Sequence, residues 1–319
     1  LTATLSRPGA VNNATGTYAE DNALFLKVFS GEVMTAFDEK NIFKGRHIER
    51  TITHGKSASF PATWKATARY HTPGTAVLGS NQFKHNERII SIDDLLLADV
   101  FIYELDELKN HYDIRSIYSE QLGAALAREY DKRLARLAIL AARASATVTG
   151  GNGGSQLKNT SMATDADILA SSLFSAAQIL DEKDVPAEDR ACVVKPAQYY
   201  LLAQNVKLIN QDWGGAGAFS DGKILRIAGI DMLKSNNLPT DNYAGVTGEN
   251  NTYLGDYRDS VGVVFNKMAI GTVKLMDLAI QKSGADFEIM YQGTLLVAKY
   301  AMGHGILRPE CSVELSKAA

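Results

Sequence analysis

The chain has 319 residues, 45% of them hydrophobic and 22% charged, with a formal net charge of −3 and a pI of about 6.1. That length suits one large or two medium domains of a water-soluble globular protein, the near-neutral balance argues against a dedicated nucleic-acid binder, and no run of about 18 apolar residues offers a membrane span. The two cysteines, Cys192 and Cys311, lie far apart and point to buried free thiols rather than a disulfide framework.

In chain order, "LTATLSRPGAVNNATGTYAED" lacks the basic start and apolar core of a secretory signal and reads as a polar arm. Leu rather than Met at position 1 predicts that the translated chain starts upstream. In "NALFLKVFSGEVMTAFDEK", Leu24, Phe25, Val28, Phe29, Val33 and Phe37 recur at helical spacing, with an interruption near Ser30-Gly31.

The next segment is basic. From Arg46 to Arg88, seven Lys and Arg (Arg46, Arg50, Lys56, Lys65, Arg69, Lys84, Arg88) face only Glu49 and Glu87, and four of the six histidines sit there. Its Gly55-Lys56-Ser57 looks like the end of a phosphate loop, yet the glycine such a loop needs five residues earlier is Arg50. The residues after Ser57, through Phe60-Pro61, Thr63, Trp64, Thr67 and Tyr70, favour extended chain over a helix. The segment therefore predicts a long hairpin. Its outgoing branch starts at about Ile48, its turn zone runs from Thr72-Pro73-Gly74 to Asn81, and it returns through Glu87–Ile92. With few large apolar residues in its middle, such an arm gains stability chiefly by lying on something else.

An acidic stretch comes directly after it. Between Ile89 and Asp113, Asp93, Asp94, Asp99, Glu104, Asp106, Glu107 and Asp113 face Lys109 alone. Basic then acidic segments invite a contact between copies, with Arg46, Arg50, Lys56, Lys65 and Arg69 of one on Asp93, Asp94, Glu104, Asp106 and Glu107 of another. Two ordinary solvated faces would give the same pattern.

From Ile114 to Ala144, Tyr118, Leu122, Leu126, Tyr130, Leu134 and Leu137 recur at i+3 or i+4 with no Pro, predicting one helix about 45 Å long. Its Arg128, Lys132, Arg133, Arg136 and Arg143 resemble a nucleic-acid helix, but Glu129 and Asp131 share the segment and an amphipathic core helix accounts for it better. "TGGNGGSQ", Thr149–Gln156, predicts a flexible Gly-rich connector, and Thr164–Leu180 a helix capped by Thr164 with Asp167 in the capping box. "ACVVKPAQYYLLAQN" predicts a buried strand, a Pro at a helix start and a helix. "GGAGAFSDG" predicts a flexible turn, and "KILRIAGIDMLKSNNLP" a strand bent at Gly229. Ser260–Pro309 reads as strands with one helix, and the glycines around His304 suggest a tight turn.

Catalytic motifs are scarce. There is no His-Glu-x-x-His, Gly-x-Ser-x-Gly or Cys-x-x-Cys, and no Gly-x-Gly-x-x-Gly following a strand. His47 and His54, seven apart, face opposite sides of an extended chain and cannot share a metal. Tyr199, Tyr200 and Trp213 read as core or interface aromatics. Neither a cofactor, a metal nor an enzyme activity is implied, and a structural protein fits best.

Five blocks, "ALFLKVFSGEVMTAF", "GKSASFPATWKATARYHTPG", "NHYDIRSIYSEQLGAALA", "VPAEDRACVVKP" and "GTVKLMDLAI…AKYAMGHGILRPE", resemble in the same order the major capsid proteins of T-seven-like short-tailed bacteriophages, from about residue 22 to residue 311. The resemblance implies an α+β, Hong-Kong-97-type capsid fold. Residues 1–45 would be an N-terminal arm with a helix, and 46–92 an extended loop reaching over a neighbour. Residues 93–180 with 258–319 would form a peripheral domain around a spine helix at 114–144, and 181–257 an axial domain. It further implies self-assembly into hexamers and pentamers of an icosahedral shell, a scaffolding protein, a portal protein at one vertex, and nonspecifically packaged double-stranded DNA. Assembly would take place in the bacterial host cytoplasm, and the product is a virion with no membrane partner. Some capsids of this fold crosslink a Lys to an Asn with help from a Glu; Lys56 lies in the loop, but no matching Asn and Glu can be assigned and no crosslink is expected. An encapsulin-like nanocompartment shell, which shares the fold, is the alternative.

Overall fold

The computed structural model describes residues 42–66, 68–77, 79, 83–105, 109, 114–205 and 226–318. The helix predicted over 24–37, the turn at 214–222, Trp213, Asp106 and Glu107 lie outside them. Helices and strands are mixed, and contacts divide the described chain into two compact units. The smaller gathers 94–130 and 276–302, the larger 42–93, 131–275 and 303–318.

The larger unit is built on six strands: β5 (Ser155–Lys158), β6 (Arg190–Val194), β7 (Arg226–Ile227), β8 (Ile230–Lys234), β11 (Ser260–Asn266) and β14 (Ser312–Ser316), in the order β5-β14-β11-β6-β8-β7. Every residue of β6, β11 and β14 is buried, because these central strands are covered on both faces and read as continuous runs rather than alternating ones. Helix α2 (Ala166–Glu182) turns Leu169, Leu173, Ala176 and Leu180 inward at helical spacing, and α3 (Pro196–Ala203) starts on its proline as expected. The six-stranded sheet thus draws on the 181–257 segment and on chain either side of it.

Two local expectations are corrected here. The cap of α2 is Asp165, whose carboxylate accepts from the N–H groups of Asp167 and Ile168 at 2.9 and 3.3 Å; Thr164 instead closes the preceding 3-10 turn, donating to the Ser161 carbonyl. The chain at Gly229 does not bend but reverses. Ala228 and Gly229 have φ of 51° and 76°, the pair of positive values a two-residue hairpin turn demands, and β7 pairs antiparallel with β8.

The long helix α1 (Ile114–Arg143) forms as its spacing predicts. From Leu134 to Ala142 it is buried at Leu134, Ala135, Leu137, Ala138, Ile139, Ala141 and Ala142. The Gly-rich segment after it is not the flexible connector expected. A Cβ on Gly154 would lie 2.3 Å from the Ala141 carbonyl, the Gly154 N–H donates to the Ala144 carbonyl, and the Lys183 ammonium donates to the Gly153 carbonyl at 2.7 Å. These glycines permit close packing against the end of the helix, so they fix the chain there.

Strand β1 (Ile48–Thr51) does not belong to the hairpin's outgoing branch as expected; it pairs parallel with β12 (Ile270–Lys282) over Gly271–Lys274. In the smaller unit, β12, β13 (Gly293–Ile306) and β4 (Leu96–Tyr103) lie side by side in that order, β4 antiparallel to β13 and outermost. The short helix α4 (Ala285–Tyr291) packs Phe287 edge-on against Phe101, and Tyr130 meets Tyr300 in the same way. The two short strands β9 (Asn242–Tyr243) and β10 (Gly255–Asp256) form a separate antiparallel pair in the larger unit. Cys192 and Cys311 are free and buried, and burial pushes the Cys311 thiol up to about 11.

Candidate functional site: the hairpin from root to tip

Strands β2 (Ser57–Thr63) and β3 (His85–Ser91) pair antiparallel, Ser57 opposite Ser91 and Thr63 opposite His85. The Lys56 carbonyl accepts the Ile92 N–H at 2.8 Å, so Gly55-Lys56-Ser57 opens a strand, and the extended-chain expectation holds. The Thr72-Pro73-Gly74 turn also forms: Gly74 has φ of +85°, and both the N–H and the hydroxyl of Thr75 reach the Thr72 carbonyl.

The hairpin root is fixed by buried polar groups. Asp93, next after the return strand, accepts from the Asn250 and Asn251 N–H groups and the Asn251 amide on one oxygen, and from the Tyr253 hydroxyl (2.6 Å) and Arg133 (3.4 Å) on the other. The Asn250 and Asn251 side chains donate to the Ile92 and Ser91 carbonyls, both at 2.6 Å. Arg133 also meets Glu249 and lies over the Tyr253 ring. Tyr253 in turn accepts from the His304 N–H, and the His304 ring lies 2.9 Å from the Thr272 hydroxyl. Both oxygens of Asp93 are thereby engaged, which offsets the cost of burying its carboxylate.

His304 does not sit in a tight turn; it lies within β13 and is fully buried. Its flanking glycines serve close approach. A Cβ at Gly303 would lie 1.8 Å from the Ser91 carbonyl, and one at Gly305 would lie 2.7 Å from the Ile90 side chain. The return strand of the hairpin therefore rests directly on the backbone of β13. Burial holds the His304 imidazole well below the usual histidine range, and the nearby His47, Arg133 and Lys274 push the same way. Burial pushes the Tyr253 phenol well up.

Farther out, the stem is held by its own chain. The Asn86 amide donates to the Thr147 carbonyl at 2.5 Å, Arg88 approaches the Thr147 hydroxyl at 3.4 Å, and that hydroxyl donates to the Leu307 carbonyl. The Trp64 ring lies against Gly151. A cavity of about 280 Å³ remains beneath the stem, lined in part by Phe60, Trp64, Val148, Met268 and Leu307.

The residues singled out by charge separate into three groups. Arg46 pairs with Asp231 at 3.5 Å, Arg50 donates to the Ser59 carbonyl at 2.9 Å and lies over Phe60, and Lys65 pairs with Asp184, so these three have partners within the chain. Lys56, Arg69, Asp94 and Glu104 are exposed. Asp93 is a correction: it reads as a surface acid, yet it is buried and bonded inside its own subunit. Two further helix arginines have partners within the chain without being buried. Arg136 stacks 3.6 Å above Tyr243, and Arg143 binds buried Glu314 and the Asp256 carbonyl. The burial of Asp93 was missed because its neighbour Asp94 is exposed. A usable signal was Arg133, a cation on the apolar side of α1 between Tyr130 and Leu137, which calls for a buried acid.

A long antiparallel hairpin, a 30-residue helix and mixed helices and strands are the parts of a Hong-Kong-97-type capsid subunit. The chain belongs to the Gp10A-like major capsid protein family, whose model matches residues 59–316. It is 32% identical over 316 residues to the major capsid protein of Escherichia phage T7, covering 91% of this chain and 90% of that protein. Among solved structures it is similar to the capsid of Cyanophage P-SCSP1u, at 47% identity and a TM-score of 0.84, covering 100% of this chain and 99% of that one. The mature capsid of bacteriophage PhiM1, at 20% identity, 94% coverage of both chains and a TM-score of 0.74, shares the fold. The protein is thus a phage major capsid protein with a shell-forming structural role, a component of the virion, and the nanocompartment alternative is not favoured.

Proposed function

We propose that this chain builds hexamers and pentamers of an icosahedral shell around double-stranded DNA, with the hairpin of each copy clasping its neighbour and no chemical step of its own. The arm at 1–45, the extended loop at 46–92, the peripheral domain at 93–180 with 258–319 and the axial domain at 181–257 divide the labour. A scaffolding protein guides assembly, a portal protein occupies one vertex, and the shell forms in the host cytoplasm. The observation that carries the clasp is the hairpin itself: every described residue from Lys65 to Glu87 is exposed, while the root beneath it is bonded into the subunit. Closed shells demand that one surface meet copies of itself at several slightly different angles, and an exposed polar loop tolerates this.

Electron microscopy of the assembled protein, with nuclease-protected nucleic acid assayed on the same sample, tests the reading. Icosahedral shells holding protected double-stranded DNA are expected; dispersed chains despite a scaffolding partner would refute it. For the charge on the clasp, Lys56→Glu with Arg69→Glu should leave the unassembled chain folded but make the shells more sensitive to salt and heat. Each exposed contact is worth only about 0–1 kcal/mol, yet it recurs around the shell. Shells with unchanged salt resistance would exclude a role for these charges.

A further inference from the structure

We infer that the cavity beneath the hairpin stem is a binding site for a small aromatic carboxylate. All of its lining residues belong to the larger unit, so the cavity lies within one unit of one chain. Its walls come from two places: Phe60, Trp64 and Arg88 from the stem, and Val148, Met268 and Leu307 from the body beneath it. Its volume of about 280 Å³ lies just under the roughly 300–1,000 Å³ of pockets that take drug-sized molecules. A compact ring compound therefore suits it, whereas a long lipid chain does not.

Charge decides what the ligand carries. Arg88 is half-buried, and its Nε reaches the Thr147 hydroxyl at 3.4 Å, a weak contact. The two terminal nitrogens of its guanidinium have no acceptor among the described residues. A cation drawn half out of water with no acid of its own calls for an anion. The lining does hold one acid, Glu310, but its carboxylate already accepts from the Arg308 Nε at 2.8 Å. A planar guanidinium pairs best with a carboxylate, through two parallel hydrogen bonds. The rings of Phe60 and Trp64 and the thioether of Met268 suit a flat aromatic body. A neutral apolar ligand would leave Arg88 uncompensated, and a bare inorganic anion would leave the apolar walls unfilled. Because the walls come from both stem and body, a bound ring ties the hairpin down at the level of Trp64.

The test adds para-azidobenzoate, a compact aromatic carboxylate that labels its surroundings on illumination, to the full-length unassembled chain, followed by mass spectrometry of the labelled peptides. The uncharged para-azidoacetophenone, of nearly the same shape, is the control, and excess benzoate is the competitor. The expected result is label on the peptides holding residues 60–64 and Met268, suppressed by benzoate. Labelling by the neutral control should be about tenfold weaker, the fold-change that a charge-assisted hydrogen bond supplies. This comparison is made on the parent chain, so it does not hinge on a variant folding. Arg88→Met, which keeps the aliphatic reach of the side chain, should bring the acid down to the level of the neutral control. As a second readout, saturating benzoate should slow hydrogen exchange across β2 and leave α2 as it was. No label, label mapping elsewhere, or equal labelling by the acid and its neutral control would overturn the assignment. The shell-forming role does not enter the test, because the site and the chain used for it are those of a single copy.

Discussion

At the root of the hairpin, Asp93 accepts five hydrogen bonds from Asn250, Asn251, Tyr253 and Arg133, and a glycine lets the Ser91 carbonyl lie against β13. About twenty residues away, at the tip, Tyr70 is fully exposed and the main local order is the Thr72–Thr75 turn. One continuous segment is therefore rigid where it leaves the body and unpartnered where it ends. The difference teaches how a single chain can be both definite and adaptable. A fixed root sets the direction in which the tip is presented, while an exposed tip adjusts to a neighbour without straining the core.

The sharpest way to break this contrast is at Asp93. Asp93→Ala removes the acid that Arg133 shares with Tyr253 and takes one acceptor from five donors. Removing one partner of a buried charged pair costs about 3–5 kcal/mol. Urea unfolding of the unassembled chain should show a loss of that size, whereas Tyr70→Ala should fall within about 0.5 kcal/mol of the parent, as exposed substitutions do. Equal losses at the two positions would mean that root and tip do not differ as described.

Gly303→Ala tests the same root by crowding. A methyl group 1.8 Å from the Ser91 carbonyl cannot be accommodated unless β3 or β13 shifts. Overpacking of this kind costs roughly 1–3 kcal/mol. The expected result is a lower unfolding midpoint and faster hydrogen exchange at Ile90–Ile92, with exchange across α2 unchanged. Unaltered exchange at Ile90–Ile92 would show that the strand is not held there.

The division between what the sequence revealed and what it hid runs along the same line. The hairpin, α1 and the β6-Pro196-α3 unit were legible because each rests on local preferences: extended-chain residues, a helical period, and a proline at a helix start. The cluster around Asp93 was not, because its members come from positions 93, 133, 253 and 304, and only tertiary packing unites them. The glycines at 150–154 and 303–305 misled for a related reason. Along the chain, a glycine that gives freedom and one that gives close approach look alike, and only the neighbouring backbone tells them apart. The charge reading fared unevenly: Arg69 and Asp94 are on the surface, while Asp93 is inside.

The smallest expected effect concerns pH and the buried ring of His304 at the root. In the unfolded chain its imidazole takes up a proton near pH 6.5. In the folded chain, burial keeps the ring neutral to a much lower pH. Between those two values the unfolded state binds more protons, so stability is full above about pH 6.5 and falls as the pH drops below it. His47, held low by its own burial against the opposing pull of the Phe43 carbonyl and Glu49, adds to the fall. One such histidine contributes at most about 1.4 kcal/mol per pH unit. His304→Gln keeps a polar group beside Thr272 but cannot titrate. Whatever stability it loses at pH 8, its dependence on pH between 6.5 and 5 should be shallower than the parent's. If the His304 variant keeps the parent's slope, the ring at the root is not the neutral, enclosed group that holds β13 under the hairpin.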